Sequence, residues 1–82
     1  MDLVLLTETI IKKIVKNKDS VSVKEFESDE DNTIQIEVLV SSEDLPLVIG
    51  AKGKNINALR TIVQASSSIN EGKKVRINVD SY

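Results

Sequence analysis

Leu47-Val48-Ile49-Gly50-Ala51-Lys52-Gly53-Lys54-Asn55-Ile56 joins two apolar segments through a Gly-x-x-Gly turn that carries two lysines. Glycine has no Cβ, so Gly50 and Gly53 can adopt positive φ and let another molecule approach the main chain closely. A helical pattern starts directly after the turn. The first N–H groups of a helix lack intrahelical partners, a setting that suits an anion. Lys52 and Lys54 place positive charge at the same spot. The plainer reading makes the glycines a helix C-cap and a connector, with the lysines merely solvated.

Working outward, Ile34, Ile36, Val38 and Val40 alternate with Thr33, Gln35, Glu37 and Leu39, which predicts a strand with one buried face. Ser41 or Ser42 can cap the helix that follows, and Pro46 fits near its start. Past the turn, Ile56, Leu59, Ile62, Val63 and Ile69 predict a second helix from near Lys54, with Asn57, Arg60, Thr61, Gln64, Ser67 and Ser68 on its polar face. Asn70-Glu71-Gly72 stops it, and Val75, Ile77 and Val79 alternate as a final strand. Toward the N-terminus, Leu3, Leu6, Ile10 and Ile14 mark an amphipathic helix ending in lysines. Val21 and Val23 begin another strand; Glu25 breaks its phase and Phe26 resumes late, so a bulge or an early end is expected. The order α-β-β-α-α-β makes an α+β two-layer sandwich, a three-stranded sheet covered on one face by three helices, with residues 1–82 as one domain.

The chain has no cysteine and no histidine, which excludes thiol chemistry and the commonest general base and metal ligand. No cofactor and no metal are expected, and no catalytic constellation stands out. The turn is not a P-loop: that motif needs four residues between its glycines and a Ser or Thr after its lysine, where here Asn55 follows Lys54. The apolar run at Leu3-Val4-Leu5-Leu6 is too short to span a membrane and has the wrong charge order for a signal peptide, so a cytoplasmic protein is expected. The net charge of −2 hides a division that matters more than the sum. Glu25, Glu27, Asp29, Glu30 and Asp31 crowd one short region, whereas from Leu47 to Arg76 the bases Lys52, Lys54, Arg60, Lys73, Lys74 and Arg76 stand against the single acid Glu71.

Set between two helices, preceded by Val48-Ile49 and continued by Leu59-Arg60, the glycine turn closely resembles the core of a KH domain. The element order is that of the prokaryotic, type II arrangement, and the resemblance spans essentially the whole chain, as in the small stand-alone bacterial KH proteins of the KhpA family. It implies a non-enzymatic protein that binds single-stranded RNA weakly, clamping about four nucleotides. Gly50, Ala51, Lys52, Gly53 and Lys54 then hold the backbone, Arg60 reaches the same strand, and Val48, Ile49 and Ile56 floor the groove unless they face the core. The resemblance also implies self-association, a larger KhpB-type partner, and a chaperone role in cell-wall growth and cell shape. Two other readings stay open: single-stranded DNA as ligand, and a dimerisation or protein-interaction module. The apolar arc of the second long helix is wide enough for Ile62 and Ile69 to form a dimer interface.

Overall fold

The computed structural model describes residues 2–82. Helix α1 (Leu3–Ile14) is capped by Asp2, whose carboxylate accepts the Leu5 N–H at 3.1 Å. Its inward seam is Leu3, Thr7, Ile11 and Val15, with Leu6 and Ile10 only partly buried beside it. The buried face is thus turned by one position from the predicted Leu3, Leu6, Ile10, Ile14 stripe. Thr7 can occupy it because its hydroxyl donates to the Leu3 carbonyl at 2.7 Å, which leaves no buried polar group unsatisfied.

Strands β1 (Ser22–Glu27) and β2 (Thr33–Val40) pair antiparallel in unbroken register from Ser22↔Leu39 to Glu27↔Ile34. The expected bulge at Glu25 does not occur. Side chains simply alternate, so Val23, Glu25 and Glu27 share the face turned to the helices, and the two glutamates emerge where that face is exposed. Phe26 falls on the opposite face and is half exposed. β2 is the central strand, and its Ile34, Ile36, Val38 and Val40 are buried as the alternation predicts.

Strand β3 (Lys74–Ser81) runs parallel to β2, with Ile36 opposite Ile77 and Val38 opposite Val79. Parallel neighbours need a long crossover, supplied here by α2 (Leu45–Ile49), a 3-10 turn (Ala51–Gly53) and α3 (Lys54–Asn70). Val48, Ile56, Leu59 and Val63 from this crossover close the core over the sheet. The three helices cover one face of the sheet, as predicted, and none is long and apolar enough to cross a membrane.

One buried charge locks the helices together. Asp44 at the start of α2 has no exposed surface, and its carboxylate accepts N–H groups from Lys16 at 3.1 Å and Asn17 at 2.9 Å, the Asn17 amide at 3.1 Å and the Ser41 hydroxyl at 3.1 Å. Burial pushes its pKa up, but these donors outweigh that and hold it below the usual carboxylate value. The chain leaving α1 is thereby fixed to the entrance of α2, and so to the glycine turn just beyond.

Candidate nucleic-acid interface

The turn is built from left-handed backbone. Gly50 has φ 75° and ψ 169°, Lys52 has φ 56°, and Gly53 has φ 76°. A lysine in that region is uncommon and its conformation must be imposed by the surroundings. Two bonds impose it: the Gly53 N–H donates to the Gly50 carbonyl at 3.1 Å, and the Lys54 N–H donates to the Ala51 carbonyl. Asn55 braces the base, its amide donating to the Leu47 carbonyl at 2.8 Å. The Gly50 N–H is spent on the Pro46 carbonyl at 2.9 Å. The glycine amides are therefore engaged within the turn, and the N–H groups of Ala51 and Lys52 take part in neither of its closing bonds. Ala51, Lys52 and Lys54 stand exposed, and α3 begins directly behind them.

A groove follows the seam between α3 and the free edge of β3. It has a volume of about 740 Å³ and is lined by Arg60, Thr61, Gln64 and Ala65 on one side and Lys74, Val75, Arg76, Ile77 and Asn78 on the other, with Gln35 behind. The edge is legible from the pairing. The N–H groups of Lys74 and Tyr82 reach Asn32 and Val40 on the β2 side. Val75, Ile77 and Val79, in the alternate phase, therefore aim their peptide groups outward. Helix α3 satisfies several of them: Arg60 donates to the Ile77 carbonyl at 3.1 Å, and Gln64 accepts the Val75 N–H at 2.8 Å. Gln64 and Ser67 also donate to the Lys73 carbonyl, at 3.0 and 2.7 Å. A guanidinium has five N–H donors, so Arg60 keeps several for a ligand in the groove.

The structure sorts the expected site residues. Gly50, Ala51, Lys52, Gly53 and Lys54 form the turn, and Arg60, further along α3, lines the groove. Val48 and Ile56 are 1% and 7% exposed and belong to the core, so of the proposed aliphatic floor only Ile49, at 37%, presents its side chain to solvent. The reason is room: a domain this small needs every large side chain of its crossover for burial. Gln64, Ser67 and Asn78 were not singled out from the sequence. The signal for the first two was present, since Arg60, Gln64 and Ser67 share one helical face. That face meets the β3 edge rather than open water, and Ser67 is fully buried.

Ile62 and Ile69 are 49% and 83% exposed and point away from the core. With the exposed Ala58 and Ala65 they form an uncovered apolar stripe along α3.

Comparison with known proteins speaks to the family and the fold. The family described as KhpA/KhpB, KH domain, matches residues 5–79. A Caldanaerobacter subterraneus protein named "RNA-binding protein KhpA" is 38% identical over 74 residues, covering 90% of this chain and 95% of that one. Its Clostridium perfringens namesake is 39% identical, with the same coverage of both chains. An Aquifex aeolicus namesake is 42% identical over 60 residues, 73% of each chain. Among solved structures, an Aquifex aeolicus Era variant bound to GDP·AlF4− superposes with TM-score 0.62 at 22% identity, over 99% of this chain. Era in complex with MgGDPNP and a segment of 16S ribosomal RNA does so with TM-score 0.60 at 23% identity. This chain spans 31% of the length of each Era chain, and the likeness speaks to the fold. Matched over nearly its whole length, the chain belongs to the KhpA/KhpB KH-domain family.

Proposed function

We propose that this protein binds single-stranded RNA, gripping the sugar–phosphate backbone at the Gly50–Gly53 turn and leading the strand along the α3–β3 groove. The observation that carries the reading is an exposed turn with three residues at positive φ, two lysines beside it and a helix start behind it. Turns of this kind gather N–H groups into an anion-binding concavity. The groove adds Arg60 and the outward peptide groups of β3 for the bases. Its lack of aromatic platforms fits backbone gripping rather than stacking. The relatives' shared name supports RNA as the ligand. On family grounds the reading extends to a cytoplasmic RNA chaperone acting with a larger KhpB-type protein in cell-wall growth and cell shape.

The direct test is titration of fluorescently labelled RNA and its DNA counterpart by anisotropy at several salt concentrations. Two to four phosphate contacts predict a log–log salt slope of about −1.4 to −2.8 on single strands. Absence of saturable RNA binding at low salt overturns the reading, and equal affinity for DNA reassigns the ligand to single strands in general.

A second reading, compatible with the first, is favoured by the uncovered stripe on α3: two copies pack through Ile62 and Ile69. Dimerisation would link two RNA sites and raise affinity without new contacts. Sedimentation checks this. Wild type is expected at dimer mass, and Ile62→Asp at monomer mass with an unchanged circular dichroism spectrum, because Ile62 is half exposed. A wild type that is monomeric at every concentration sinks the interface.

A further inference from the structure

We infer that Glu30 limits how much of an RNA strand the groove takes, by neutralising Arg76, which lies past Arg60 on the side away from the glycine turn. The inference rests on the RNA-binding reading above. Both Glu30 carboxylate oxygens lie 3.0 Å from Arg76 Nη2. Arg76 is one of three cations along the groove, with Arg60 and Lys74. Helix α3 runs antiparallel to β3, as the contacts of Arg60 with Ile77 and Gln64 with Val75 require. A strand leaving the turn therefore meets Arg60 first and Arg76 later.

The carboxylate is positioned by its loop, not by the ion pair alone. The Glu30 N–H donates to the Ser28 hydroxyl at 3.1 Å. The Asn32 amide donates to the Gly72 carbonyl at 2.9 Å, and the Lys74 N–H donates to the Asn32 carbonyl at 2.9 Å. These bonds pin the acidic loop to the turn that precedes β3. Asp31 borders the same end of the seam, beside Lys73 and Lys74. Glu30 and Arg76 are about half exposed, and such a pair adds little to stability. What it does change is the charge that an arriving phosphate meets. Helix α3 rises about 16 Å between Gly53 and Gln64; beyond that point the phosphate approaches carboxylates rather than a free guanidinium.

The test uses the full chain, fluorescently labelled RNA tetranucleotide and dodecanucleotide, and the variants Glu30→Gln, Arg76→Gln, their double combination, and Asp29→Asn as a charge-matched control. One phosphate contact with a slope of about −0.7 corresponds to roughly eightfold in affinity between 1 M and 50 mM salt. Glu30→Gln is expected to tighten dodecanucleotide binding by about that factor at 50 mM salt and to steepen the slope by about 0.7. Tetranucleotide binding should change by less than about twofold, as should either RNA with Asp29→Asn. Adding Arg76→Gln to Glu30→Gln should remove the gain, whereas Arg76→Gln alone should cost less than about twofold. An equal gain on both RNAs, an equal gain with Asp29→Asn, or no gain overturns the inference while leaving RNA binding intact. A large loss with Arg76→Gln alone overturns it too, even if Glu30→Gln fails to fold. Wild type binding neither RNA overturns the RNA-binding reading itself.

Discussion

Replacing Ala51 and Lys52 together by Asp is expected to abolish RNA binding while leaving the fold in place. Lysine to aspartate changes the local charge by −2 and alanine to aspartate by −1, so the turn becomes more negative by three charges. At about eightfold per phosphate-facing charge between 1 M and 50 mM salt, the loss exceeds roughly a hundredfold at low salt. The fold should not suffer. Both positions are exposed, and Lys52 sits at φ 56°, a conformation that aspartate tolerates better than most residues. New carboxylates ahead of α3 also complement its dipole. Stability is expected within about 0.5 kcal/mol of wild type, as for other exposed substitutions. Anisotropy titration beside thermal melting gives the answer: a folded variant that keeps wild-type affinity moves the RNA site away from this turn.

The two glycines, identical in the motif, should respond very differently to alanine. Gly50, at φ 75° and ψ 169°, occupies backbone space that is essentially reserved for glycine. A Cβ there would lie 2.8 Å from Asn55 Cγ and 2.9 Å from the Asn55 backbone nitrogen, and the latter cannot swing aside. Gly53, at φ 76° and ψ 17°, is in the ordinary left-handed region, and its Cβ would meet Asn57 Nδ2 at a comfortable 3.5 Å. Gly50→Ala is expected to cost about 2–4 kcal/mol from strain and clash combined, and Gly53→Ala about 1 kcal/mol. In a domain of this size each kcal/mol lowers Tm by about 4–8 °C, so the first variant should melt at least about 8 °C below wild type. Urea unfolding measures both. Equal costs would mean that the turn relaxes freely around Gly50, contrary to the bracing by Asn55.

Much of the fold was legible because its signals are local. The alternation of β2, the stop at Gly72 and the restart of a helix after Gly53 each depend on neighbours a few residues apart, and each holds in the structure. The two glycines of the turn were legible for the same reason: a turn that needs positive φ shows itself as glycine. Where the reading failed, the deciding partner was distant. Glu25 suggested a bulge, yet pairing with Ile36 keeps the register, and Phe26 goes to the open face. Thr7 and Ser67 are buried by packing against distant elements, and their hydroxyls are satisfied there by the nearby Leu3 and Lys73 carbonyls. Whether Val48, Ile49 and Ile56 face the core stayed open in the sequence, because periodicity marks a side chain as inward without saying whether a core or a ligand waits there, and packing took Val48 and Ile56 into the core.

By itself, then, the sequence determined the order of elements, the buried face of β2 and the backbone freedom of one turn, all set by side-chain periodicity and steric permission within a few residues. Only the tertiary structure decided that β3 lies parallel to β2 with its edge open beside α3, that Asp44 is buried under donors from Lys16 and Asn17, and that Glu30 reaches Arg76. Those outcomes require hydrogen-bond and charge partners from remote parts of the chain, and a polar group's place is fixed only when its partner has been brought to it.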